Sequence, residues 1–75
     1  MLDLSTMKVG SKSEIIAIEN SSIKSKLIEM GFLVGCSLEV VFKAPLGDPI
    51  AIEINSTVIS LRKDEATLIK VRKKN

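Results

Sequence analysis

The chain has 75 residues, 45% of them hydrophobic, with eleven Lys or Arg against nine Asp or Glu, no histidine, one cysteine and two phenylalanines as its only aromatics. That length makes one domain, burying about 60% of its unfolded surface, and the apolar content excludes a disordered chain. No apolar run nears the roughly 18 residues of a membrane helix, Met1-Leu2-Asp3-Leu4-Ser5 has neither region of a signal peptide, and a lone cysteine points to the reducing cytoplasm.

Met7-Lys8-Val9-Gly10 reads as a turn into a first strand near residues 13–19, with Ile16 and Ile18 facing inward and Glu14 and Ile15 at its edge. Asn20-Ser21-Ser22 is a cluster of helix N-cap residues. Ile23, Leu27 and Met30 then recur at i, i+4 and i+7, which predicts a helix over about residues 22–30. Gly31 ends it in the C′ position, and Phe32 folds back on the last turn. So short a helix needs the sheet to hold it. Gly35 turns the chain into a strand in which Leu38, Val40 and Phe42 alternate with Glu39, Val41 and Lys43, placing both phenylalanines at core positions.

The segment Ala44-Pro45-Leu46-Gly47-Asp48-Pro49 contains both prolines of the chain. Each proline fixes its own φ and keeps its predecessor out of the α region. Gly47 can turn left-handed, and Asp48 can accept from nearby backbone amides. The product is a stiff, shaped loop, a recognition surface more readily than a catalytic one. Ile50–Ile54 follows as an alternating strand, Asn55-Ser56 as a two-residue hairpin turn, and residues 57–61 as the return strand. Residues 62–66 read as a single helical or 3₁₀ turn before a last strand, 67–72, with Ile69 and Val71 on one face. Five short strands and one inserted helix make a mostly β domain, a small barrel whose closure hides its edges.

Charge is uneven. Lys70, Arg72, Lys73 and Lys74 supply four of the eleven cations, so residues 1–69 carry seven against nine anions, or −2. An acidic body argues against a nucleic-acid binder, and residues 72–75 read as a basic, frayed tail. Without histidine, acid–base catalysis loses its commonest agent, and Ser–His–Asp and Cys–His pairs are ruled out. One cysteine makes no zinc site. Cys36, between Gly35 and Ser37, reads as a small half-buried residue. The carboxylates lack calcium-loop spacing, and there is no phosphate loop.

Four segments resemble the FeoA family over nearly the whole chain. They are Leu4…Val9-Gly10…Ile16…Ile18, the helix and exit from Lys26 through Gly31 to Gly35, the Pro-x-Gly-Asp-Pro element at residues 45–49, and Ser60-Leu61-Arg62…Glu65-Ala66…Ile69…Val71. Relatives often carry a proline before the second glycine of the helix exit, where this chain has Leu33-Val34, and a glycine at its Asn55-Ser56 hairpin. The resemblance implies an SH3-like five-stranded barrel with one short inserted helix. It also implies a non-enzymatic cytoplasmic accessory of bacterial ferrous iron uptake, held at the inner face of the membrane by contact with the FeoB GTPase-type transporter. It implies no cofactor, and the family's association with metal is read as a link to transport rather than a site here. The partner surface expected from the residues comprises Met30, Phe32, Leu33, Leu46, Asp48, Pro49 and Arg62. The competing reading, favoured for Met30 and Phe32, makes those two core residues and Arg62 an internal brace for Asp48. Weak self-association is compatible with this reading; membrane insertion is not expected. The other reading is a stand-alone regulatory or nucleic-acid-binding barrel related to the C-terminal domain of iron-dependent repressors, expected to lack a DNA-binding domain because Met1 runs straight into the first segment.

Overall fold

The computed structural model describes residues 2–74. In chain order it contains β1 (Leu2–Asp3), β2 (Lys12–Ile18), α1 (Lys24–Glu29), β3 (Ser37–Lys43), β4 (Ile50–Ile54), β5 (Thr57–Leu61), α2 (Lys63–Ala66) and β6 (Ile69–Lys74), with 3₁₀ turns at Leu4–Thr6 and Pro45–Gly47. All strand pairs are antiparallel, in the order β1-β6-β2-β3-β4-β5. The domain is mostly β, as expected, but has six strands rather than five. The additional one, β1, is two residues long and pairs with β6. The ladder keeps two edges, β1 and β5, where closure had been expected. The sheet nonetheless curls into a nearly isometric body of 27 × 25 × 25 Å.

Curling turns the inner face of the sheet onto one apolar core. Ile15, Leu27, Phe32, Val40, Ile50, Ile52 and Ile69 are wholly buried, with Ile23, Met30 and Cys36 packed against them. Two β-bulges decide which residues reach this core. In β2, Ile15 pairs with Val71 and Ala17 with Lys70, so Ile16 is the extra residue. A bulge moves every later side chain to the opposite face. The inward pair is therefore Ile15 and Ile18, not Ile16 and Ile18. In β3, Val40 pairs with Ile52 and Phe42 with Ala51, leaving Val41 extra. Phe42 is thereby turned outward and is 54% exposed, against its expected core position.

The helix is shorter than its apolar stripe, and its N-cap residue is Ile23 rather than a serine. Ser21 still serves the start of the helix: its Oγ accepts from the Ile23 N–H at 3.3 Å. At the other end the Gly31 N–H donates to Ile28 O and the Phe32 N–H to Leu27 O. These two bonds are the Schellman arrangement, and Gly31 has the φ of +105° it requires. Phe32 is thus folded back into the core, where it is fully buried.

The expected frayed tail is corrected over residues 72–74. Arg72, Lys73 and Lys74 extend β6 along Glu14, Ser13 and Lys12 of β2, while Asn75 lies outside the described residues. Arg72 Nη2 donates to Glu14 Oε1 at 2.6 Å. That bond and then the guanidinium charge hold the Glu14 carboxyl below its ordinary value of 4.5; burial opposes them, and the charge of Lys74 adds the smallest lowering effect. A lowered carboxyl stabilises the fold above its unfolded value, and that stability is lost as pH falls through the folded one. Thermal melts of the natural chain and of Glu14→Gln should differ at neutral pH and converge below pH 4.5.

Among the described residues one polar side chain in the core has no partner: Ser13 is fully buried and its Oγ has no hydrogen bond. A buried, unsatisfied hydroxyl is a net burden. Ser13→Ala is expected to stabilise the domain by about 1 kcal/mol, raising the melting temperature by about 4–8 °C in calorimetry.

Candidate functional site

The connection between β3 and β4 is a closed, rigid loop. Ala44 N–H donates to Pro49 O at 3.0 Å, and Gly47 N–H donates to Ala44 O at 2.8 Å. The second bond closes a turn with Pro45 in its second position and Leu46, at φ 72° and ψ 5°, in its third. These are the features of a type II turn, whose third position favours glycine or asparagine because φ is positive. Leucine there costs about 1–2 kcal/mol. Its side chain gains no packing in return, since Leu46 is 97% exposed. Gly47 follows at φ +79°, the left-handed turn expected of it, and the Asp48–Pro49 peptide is cis.

The loop is tied to α2. Asp48 Oδ1 accepts from the Lys63 backbone N–H at 3.1 Å, satisfying an amide that the start of a helix leaves free and placing a negative charge at its positive end. The Glu65 carboxylate accepts from the Arg62 backbone N–H at 2.8 Å. Asp48 is therefore braced by the backbone beside Arg62, not by the guanidinium. Among the described residues that guanidinium has no salt bridge, and it lies exposed. A cleft of about 610 Å³ opens beside the loop, lined by Asp48, Arg62, Lys63, Asp64 and Thr67.

The seven residues of the expected surface fall into two groups. Leu46, Asp48, Pro49 and Arg62 lie together around the loop and the start of α2. The helix exit lies elsewhere: a Cβ placed on Gly31 would stand 3.4 Å from the Asn55 side chain, in the hairpin turn at the far end of β4. β4 has five residues, so its ends are about 15 Å apart. Phe32 is buried and offers a partner nothing, and Met30 is half-buried against the core. Leu33 is 47% exposed at the helix exit, with exposed Ile28 and Val34 near it in sequence. Phe42 was missed. It stands on the outer face of β3 two residues before the loop, and only the bulge at Val41 puts it there; the run Val40-Val41-Phe42 carries no sign of it.

The FeoA domain model matches residues 2–73. The chain belongs to the FeoA domain family. Its fold superposes on iron(II) transport protein A from Clostridium thermocellum with a TM-score of 0.91 and 42% identity, over 96% of this chain and 45% of that one. FeoA of Stenotrophomonas maltophilia, described as a prokaryotic SH3 domain protein and solved with zinc, gives 0.85 at 26% identity, covering 96% of this chain and 91% of that one. A curated relative, the Fe(2+) transport protein A/Fe(2+) transporter FeoB fusion protein of Porphyromonas gingivalis, is 35% identical over 69 residues, which are 91% of this chain and 8% of the fusion. The FeoA chain described here thus spans less than a tenth of that relative and under half of the Clostridium thermocellum chain. A manganese-dependent transcriptional repressor shares the fold alone, with a TM-score of 0.88 at 17% identity over 97% of this chain and 36% of that one.

Proposed function

We propose that this FeoA domain is a non-enzymatic, cytoplasmic accessory of ferrous iron uptake that docks on the cytosolic GTPase part of a FeoB-type transporter. Leu46 carries the reading. A bulky apolar side chain stands almost fully exposed on backbone that disfavours it, and strain of this kind collects at working sites. Exposed apolar side chains on rigid backbone are good interface anchors. Pro49 and Phe42 extend the apolar contact, Asp48 holds the loop on α2, and Arg62 is available to a carboxylate or phosphate of the partner. A relative that joins the two components in one polypeptide supports their association.

An isotope-edited NMR titration with the GTPase part of FeoB from the same source, nucleotide-free, GDP-bound and bound to a GTP analogue, tests the proposal. Shifts at residues 42, 46–49 and 62–63 are expected. Nucleotide dependence would mark a regulator rather than a passive tether. Absence of shifts in all three states, or shifts confined to Ile28, Leu33 and Val34, would overturn this surface.

A further inference from the structure

A second surface is built from the turn before β2 and the end of β6. A cleft of about 510 Å³ is lined by Lys8, Val9, Gly10, Ser11, Lys12, Lys73 and Lys74, and it meets no carboxylate. A neighbouring hollow adds Leu2, Thr6 and Met7 beside Lys8 and Lys73. Among the described residues no salt bridge engages any of these four lysines; the two that form use Lys70 and Arg72. Lys12 and Lys74 stand directly opposite each other across β2 and β6. Like charges in that position destabilise a sheet. Glu39 faces Lys12 from the other side, on β3, and Lys74 Nζ donates to Ser37 Oγ at 2.8 Å, so this end of the strand is ordered, not frayed.

We propose that this end of the curled sheet rests on an anionic lipid bilayer, its lysines among the headgroup phosphates and Val9 and Leu2 touching the interface. Three observations favour a membrane over a nucleic acid or a small soluble anion. The four cations are all lysines, point charges suited to a diffuse negative surface; arginine, which grips a single phosphate with two bonds, is absent from the lining. Val9 at the turn is 55% exposed and Leu2 49%, apolar groups set among cations as in interfacial segments. No aromatic lines either hollow to stack a base. The patch shares no lining residue with the cleft beside Leu46, so the lipid contact stands or falls independently of the proposed partner.

Vesicle co-sedimentation tests it, using phosphatidylcholine alone or mixed with phosphatidylglycerol. The natural chain should sediment only with the mixed vesicles, less so as salt rises. Lys8→Gln/Lys73→Gln should weaken binding about 25-fold, fivefold per lysine, and Val9→Asp should weaken it too. Lys24→Gln/Lys26→Gln, which removes the same charge from α1, should bind like the natural chain. Failure to sediment with mixed vesicles, or equal loss in the α1 variant, would overturn the proposal. So would NMR shifts at these lysines with inorganic pyrophosphate, or retention of a single-stranded RNA, where no vesicle binding is seen.

Discussion

Leu46→Gly is expected to make the domain more stable and a poorer ligand at once. Glycine accepts the positive φ of the turn freely, so the strain of about 1–2 kcal/mol is relieved. Part of that gain is returned through the greater freedom of glycine in the unfolded chain, leaving a net gain of about 0.5–1 kcal/mol in urea denaturation. If Leu46 is the anchor, affinity for the transporter's GTPase part falls at least about thirtyfold, the level of an interface hot spot. Leu46→Ala separates the two effects. It keeps the strained backbone and so leaves stability near its natural value, while losing the same contact. Both variants losing affinity, with only glycine gaining stability, is the pattern that a binding loop predicts. A loop that merely connects two strands predicts the stability change alone.

Phe32→Ala carries the largest expected loss of stability. The ring is wholly buried behind the helix exit, and emptying such a site costs about 3–5 kcal/mol. A domain of this size sits at the low end of the usual 5–15 kcal/mol, so the variant keeps little net stability. Denaturant midpoints should show it, with a slope like that of the natural chain if the loss is purely thermodynamic. Leu33→Ser, one position later and half exposed, should move the midpoint by less than about 0.5 kcal/mol. The contrast separates core from surface within a single dipeptide.

Much of the fold could be read from the residues. The turn at Asn55-Ser56 adopts two positive φ angles, the form that suits a two-residue hairpin. The stripe of Ile23, Leu27 and Met30 and the stop at Gly31 gave the helix and its exit, and Lys63–Ala66 is the single helical turn expected before the last strand. What the residues did not disclose was the sheet's irregularity. A bulge inserts one residue without a turn signal, and in stretches such as Ile15-Ile16 or Val40-Val41-Phe42 every side chain is apolar, so no alternation marks the slip. Two-residue β1 is too short to carry a pattern at all. For the candidate site, prolines and a glycine punctuate the loop and so group Leu46, Asp48 and Pro49 in the sequence, and the structure brings Arg62 beside Asp48. The helix exit was grouped with them because two apolar turns look alike in sequence. Only the nearness of Gly31 to the Asn55 side chain reveals that β4 separates them.

The bulge at Val41 also bears on how this surface can change over generations. A substitution at Phe42 alters one side chain in place. Loss of the single codon for Val41 would remove the bulge and restore regular alternation, leaving Phe42 opposite Ala51, still facing outward, and the loop that follows in its present frame. The β3–β4 ribbon should therefore accept loss of this one residue as well as replacements, so that alignments of descendants would show both varied letters and single-residue gaps at this position.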